Sequence, residues 1–129
     1  MLTSCGTVGS IQGPQDGASN EMEAHSMRPD DPLARPTQVA WTSARANRCG
    51  FIFSPEQLRA NFLASESRFG YSPTEMQKIE HAYDYTLQSV TKTIKDNPNY
   101  CNKERTDAIR RDLNRYLSGD YTPSARMAQ

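Results

Sequence analysis

Ser72-Pro73-Thr74-Glu75 opens the most regular stretch of this chain, and that stretch leaves little choice of fold. Ser72 can accept from the backbone N–H of Glu75 while Glu75 reaches back to the N–H of Ser72, which makes a capping box. Pro73 occupies the first helical position, where its missing N–H costs nothing. Beyond the cap the apolar residues are Met76, Ile79, Tyr83, Leu87, Val90 and Ile94. Their steps alternate between three and four residues, the period of one helix face. Pro98 ends the pattern, because the residue before a proline is pushed out of the α region. A helix over 73–96 is roughly 35 Å long. Its single apolar stripe has to be covered by shorter helices.

Three other segments supply them. Residues 37–49 can be capped by Thr37 and ended by Gly50, with a narrow stripe of Val39, Thr42, Ser43, Ala46 and Cys49. Trp41 falls on the other side with Arg45 and Arg48, and Trp41 and Arg45 are at i,i+4, within cation–π range. Two readings follow. Either Trp41 is core and the small-residue stripe faces water, or Trp41, Arg45 and Arg48 form an exposed interaction patch. The first carries more weight, since a large aromatic supplies much burial; the second gives the candidate site. Residues 55–69 begin at Ser54-Pro55-Glu56-Gln57, with Leu58, Phe62 and Phe69 on one face and Gly70 as the stop. Residues 103–118 begin after Asn102 and end at Gly119, with Ile109, Leu113, Tyr116 and Leu117 as the stripe. Opposite that stripe lie Arg110, Arg111 and Arg115, interleaved with Asp107 and Asp112; pairs Asp107–Arg111 and Asp112–Arg115 are expected. The pattern predicts an all-α fold, a small bundle of about four helices in a domain over 37–120. Residues 121–129 form a tail with a short docked segment, and residues 1–36 a disordered tether rich in Gly, Pro and polar residues.

The 129-residue chain suits one domain. Its hydrophobic fraction is 36% and its mean hydropathy −0.79, so a core is possible only if part of the chain stays outside it. Formal net charge is +0, with a mild basic excess after residue 35, which argues against nucleic acid as a partner. No apolar run approaches the length of a membrane span.

Leu2-Thr3-Ser4-Cys5-Gly6 resembles the lipobox of bacterial lipoproteins, in which a leucine and two small residues precede an invariant cysteine. The resemblance implies that Cys5 is acylated on sulfur and becomes the mature N-terminus. It implies a lipid anchor in the membrane. Gly6, rather than the aspartate that commonly retains such proteins at the inner membrane, points to the periplasmic side of the outer membrane. No basic and apolar signal segment stands before Leu2, so the resemblance implies a signal that begins upstream of Met1. The competing reading is a polar N-terminus with a free thiol on a cytoplasmic protein.

Three cysteines is an odd number. With Cys5 acylated, Cys49 and Cys101 remain as a pair, which suits an oxidising compartment. A bridge between them would close a loop of about 50 residues, worth roughly 4 kcal/mol in the loop-entropy model. The competing reading is two separate buried thiols. No cofactor, metal or catalytic residues are expected: there is no CxxC, His81 points away from the apolar stripe, and no nucleophile or phosphate-binding motif is present. The sequence therefore predicts a non-enzymatic cell-envelope lipoprotein module that meets an envelope protein or the cell wall. The alternative is a soluble helical interaction or regulatory protein with a weakly basic face.

Overall fold

In the computed structural model, which describes residues 31–124, four α-helices follow one another: α1 (Ala34–Arg48), α2 (Pro55–Glu66), α3 (Pro73–Ile94) and α4 (Lys103–Leu117). A single 3-10 turn, Ser67–Phe69, extends α2. There is no strand among the described residues. Cys5 and most of the expected tether, with residues 125–129, lie outside the described residues.

The expected boundaries hold for α2, α3 and α4 to within a few residues. Ser72 and Glu75 make both halves of the capping box (3.1 and 2.8 Å). Ser54 accepts from the Gln57 N–H at 3.1 Å, but the Gln57 side chain donates to Asn61 instead of returning to the cap. Asn102 caps α4 through the Arg105 N–H at 2.8 Å. Gly70 stops the 3-10 turn at φ 78, in the left-handed region that costs glycine nothing.

α1 starts earlier than Thr37. The Asp31 carboxylate accepts from the Leu33 N–H at 2.8 Å and its carbonyl from the Ala34 N–H at 2.9 Å. That turn starts the helix at Ala34. Pro36 then sits in the first turn, where its absent N–H breaks no bond. The domain thus begins before residue 37. It also runs past 120: the Gln38 carboxamide donates to the Ser124 carbonyl and accepts from the Ser124 N–H, both at 3.0 Å. The predicted tail is docked as far as Ser124.

α1 is the centre of the bundle, and α2, α3 and α4 all pack on it. From Ala34 to Ala46 every residue except Arg35 is buried. The expectation of an exposed small-residue stripe is therefore corrected: Val39, Thr42, Ser43 and Ala46 are all inside. Ile79 and Tyr83 of α3, Phe62 of α2 and Ile109 of α4 close over α1 in one cluster. Each such side chain, fully buried, contributes about 1.5–3 kcal/mol. Trp41, Val90, Ile94 and Tyr100 make a second cluster.

Two stripe residues lie outside the core. Phe69 is 60% exposed and Leu117 51%. The 3-10 turn rotates Phe69 off the Leu58–Phe62 face, and Glu66, at i+4 from Phe62, takes the buried place.

Candidate functional site

The C-terminus of α1 meets the ends of α3 and α4 at one pole of the bundle. Cys49 is bonded to Cys101, with Cα atoms 5.6 Å apart, as the odd cysteine count suggested. Beside the bridge, Arg48 donates to the Ile94 carbonyl at 3.2 Å and the Asn97 carbonyl at 2.7 Å. It thereby satisfies carbonyls that the end of α3 leaves open.

The patch Trp41–Arg45–Arg48 is not a surface. Trp41 and Arg45 are both 0% exposed. Their cation–π pair does form, with the guanidinium carbon 4.1 Å from the ring centroid, but it forms in the core. Arg45 Nε donates to Tyr100 Oη at 2.7 Å. Arg105 lies over the other part of the assembly, 4.2 Å from the Tyr100 ring, and donates to the Tyr100 carbonyl at 2.8 Å. The result is a ladder of alternating rings and guanidiniums under the disulfide. A buried guanidinium is tolerated where hydrogen bonds and ring faces replace its water, and for Arg45 the Tyr100 hydroxyl and the Trp41 ring each supply part of that replacement.

Charged side chains that the sequence reading left unassigned hold the opposite pole. Glu66 is 0% exposed and takes Arg35 Nε at 2.8 Å and Nη2 at 3.3 Å. Arg35 Nη2 also donates to Tyr71 Oη at 2.7 Å, and Arg35 lies 4.8 Å over the Phe69 ring. The Glu66 carboxylate raises the Arg35 pKa. A signal was available: Leu58, Phe62 and Glu66 follow at i,i+4 steps, which puts the carboxylate on the buried face. Between α2 and α3, Arg59 bonds both oxygens of Asp84 (2.7 and 2.9 Å) and reaches Glu80 at 2.9 Å.

The hydroxyls of α1 meet phenols. Ser43 faces Tyr83, and that approach lowers the phenol's pKa against a larger upward push from burial. Neither oxygen completes a hydrogen bond of normal geometry among the described residues, and nor do Thr42 Oγ1 or Trp41 Nε1. Burial, with the Asp112 carboxylate nearby, pushes the Tyr116 phenol up to about 12.

On α4, the three arginines do not make one anion site. Arg115 turns back to the Thr122 carbonyl at 2.9 Å and to Asp112 at 3.5 Å. Arg110 pairs with Asp107 at 3.2 Å and lies 5.2 Å over the Phe51 ring. Asp107 takes Lys103 at 2.7 Å, so its partners are Lys103 and Arg110 rather than Arg111. His81 is exposed and stacks on Tyr85 with centroids 6.1 Å apart. No group of three His, Cys, Asp or Glu among the described residues could hold a metal ion.

Shallow clefts open between the described helices. One of about 320 Å³ lies between the ends of α2 and α4, walled by Asn61, Arg68, Leu117 and Tyr121. Both helices turn carbonyl ends toward it, a field that opposes an anion at Arg68. Another, about 280 Å³, is lined by Asp31, Leu33, Tyr71 and Glu75, and Glu75 is engaged in the Ser72 cap. Among the described residues the most exposed large apolar side chain is Ile52, at 97%, in the loop between α1 and α2. No helix is long and apolar enough to cross a membrane among the described residues. No family model, curated protein or solved structure matches the chain.

Proposed function

We propose that this chain is a non-enzymatic module of the bacterial cell envelope. It is held to the periplasmic side of the outer membrane by acyl chains on Cys5 and presents its helical domain to an envelope protein or the cell wall. The observation that carries the reading is the Cys49–Cys101 bond. It fits an oxidising compartment, and it leaves Cys5 as the odd cysteine, in the lipobox-like Leu2-Thr3-Ser4-Cys5. The non-enzymatic part rests on how the ionised groups are used. Glu66, Asp84 and Asp107 each join a cation that fixes a helix or a helix pair.

The experiment uses the gene with its upstream sequence, expressed in its own host. The protein is expected in the detergent phase of a cloud-point partition, and the Cys5→Ser variant in the aqueous phase. Alkylation of unreduced cells is expected to leave Cys49 and Cys101 unlabelled. Equal partition of both forms would remove the anchor. Labelling of both cysteines without reductant would favour the alternative, a cytoplasmic interaction or regulatory protein using the outward Arg110 and Arg111.

A further inference from the structure

We propose that the Phe51-Ile52-Phe53 tip is a second membrane contact, which lays the disulfide pole of the bundle on a bilayer carrying anionic headgroups. The inference rests on the envelope reading for its setting, but the contact itself belongs to the folded domain.

Ile52 is 97% exposed, whereas Phe51 and Phe53 on either side pack against the core. Lone exposed apolar side chains are ordinary; this one is held out. The Phe51 N–H donates to the Ala46 carbonyl at 3.0 Å. Cys49, just before it, is in the disulfide. On the other side Ser54 is fixed as the cap of α2. A loop tied at both ends cannot turn its isoleucine back into the core.

Charge lies directly behind the tip. The Arg110 guanidinium sits 5.2 Å over the Phe51 ring. Its neighbours are Asp107 and, through Asp107, Lys103, whose side chain is 88% exposed. That cluster carries two cations and one carboxylate, a net positive charge opposite to that of an anionic headgroup, and the exposed Glu56 in the first turn of α2 offsets part of it. The order of depth matches a membrane interface: an aliphatic apex, aromatic rings behind it, and a guanidinium at headgroup level. Ile52 projects into solvent and so is free to insert. It lies at the far end of α1 from Asp31, about 22 Å away along the helix axis. The roughly 26 residues from Cys5 to Asp31 span at most about 90 Å, ample for an anchored chain to lay this pole on the same bilayer.

The test uses the full chain with Cys5→Ser, so that no acyl group contributes. It is floated with vesicles of phosphatidylethanolamine and phosphatidylglycerol, and with vesicles of phosphatidylcholine alone. Flotation is expected with the anionic vesicles. Ile52→Asp is expected to lower the partition at least about tenfold. Arg110→Gln is expected to lower it about fivefold and to flatten its salt dependence. Ile52→Trp is expected to raise it. Ile52 makes so little contact that the two Ile52 substitutions leave the melting curve unchanged. The proposal is overturned if the Cys5→Ser chain floats with neither vesicle or if Ile52→Asp floats equally well. It is also overturned if Ile52 instead drives self-association in sedimentation without flotation, which would assign the tip to a second copy of the chain. Loss of the Cys5 anchor in cells with intact flotation here would remove only the envelope reading.

Discussion

Removing the Cys49–Cys101 bond tests how this domain is stabilised. The bond spans 52 residues. Loop-closure entropy for that span is about 14 cal/mol/K, or about 4 kcal/mol at 25 °C. The folded pole has other fastenings that survive the change: Arg48 on the Ile94 and Asn97 carbonyls, and Arg45 on Tyr100. The loss should therefore arise in the unfolded chain, which gains freedom, with little change in the native structure. For Cys49→Ala with Cys101→Ala we expect native far-ultraviolet dichroism at low temperature. We also expect a urea midpoint lower by about 1.3–4 M, given a slope of about 1–3 kcal/mol/M. The melting temperature should fall by roughly 15–30 °C. Each single alanine variant, studied under reducing conditions, should match the double variant. A loss below about 1 kcal/mol would refute the entropy argument. So would a loss of native dichroism before unfolding, because the bond would then be holding the folded pole itself.

Trp41 buried beneath Arg45 should show blue-shifted emission that iodide and acrylamide barely quench, and Trp41→Ala should cost about 3–5 kcal/mol; ready quenching would restore the exposed patch. Glu66→Ala strands Arg35 and should cost about 3 kcal/mol in urea unfolding, somewhat below a fully buried pair because Arg35 is 22% exposed. Replacing Arg35 and Glu66 together by methionine should return stability to within about 1 kcal/mol of the parent. The Tyr116 phenol, pushed up to about 12, keeps its proton in the folded state above the ordinary value of about 10, at which the unfolded chain loses its own. Its contribution is complete below pH about 10 and should fade by about 3 kcal/mol as pH rises toward 12; Tyr83 shifts in the same direction. Urea midpoints across that range, with phenolate absorbance as a second signal, check it, and a flat profile would mean that both phenols are wet.

What the sequence disclosed depended on how local each signal was. The α3 cap lies within four residues and its stripe within 22, so both were legible. The role of α1 was not. A window on Gln38, Thr42, Ser43 and Arg45 shows polar residues, and polar residues are usually placed outside. They are inside because partners far along the chain receive some of them: Ser124 is 86 positions from Gln38, and Tyr100 is 55 from Arg45. Trp41 was expected in the core and is there. The inference that its opposite side must then face water failed, because three helices surround α1 and leave it no outer face. The disulfide was legible through cysteine arithmetic, which does not depend on distance along the chain.

Being both central and the first of the four described helices gives α1 an order of events. Synthesis delivers this helix before α2, α3 and α4, which pack on it. At about 5–20 residues per second, the 86 positions between Gln38 and Ser124 take roughly 4–17 s to emerge. Over that interval the future centre of the bundle must remain in water without aggregating. A helix carrying Gln38, Thr42, Ser43 and Arg45 can do so where a leucine-rich one could not. Its polar composition, which hid its place in the fold, is also what lets it wait for its partners.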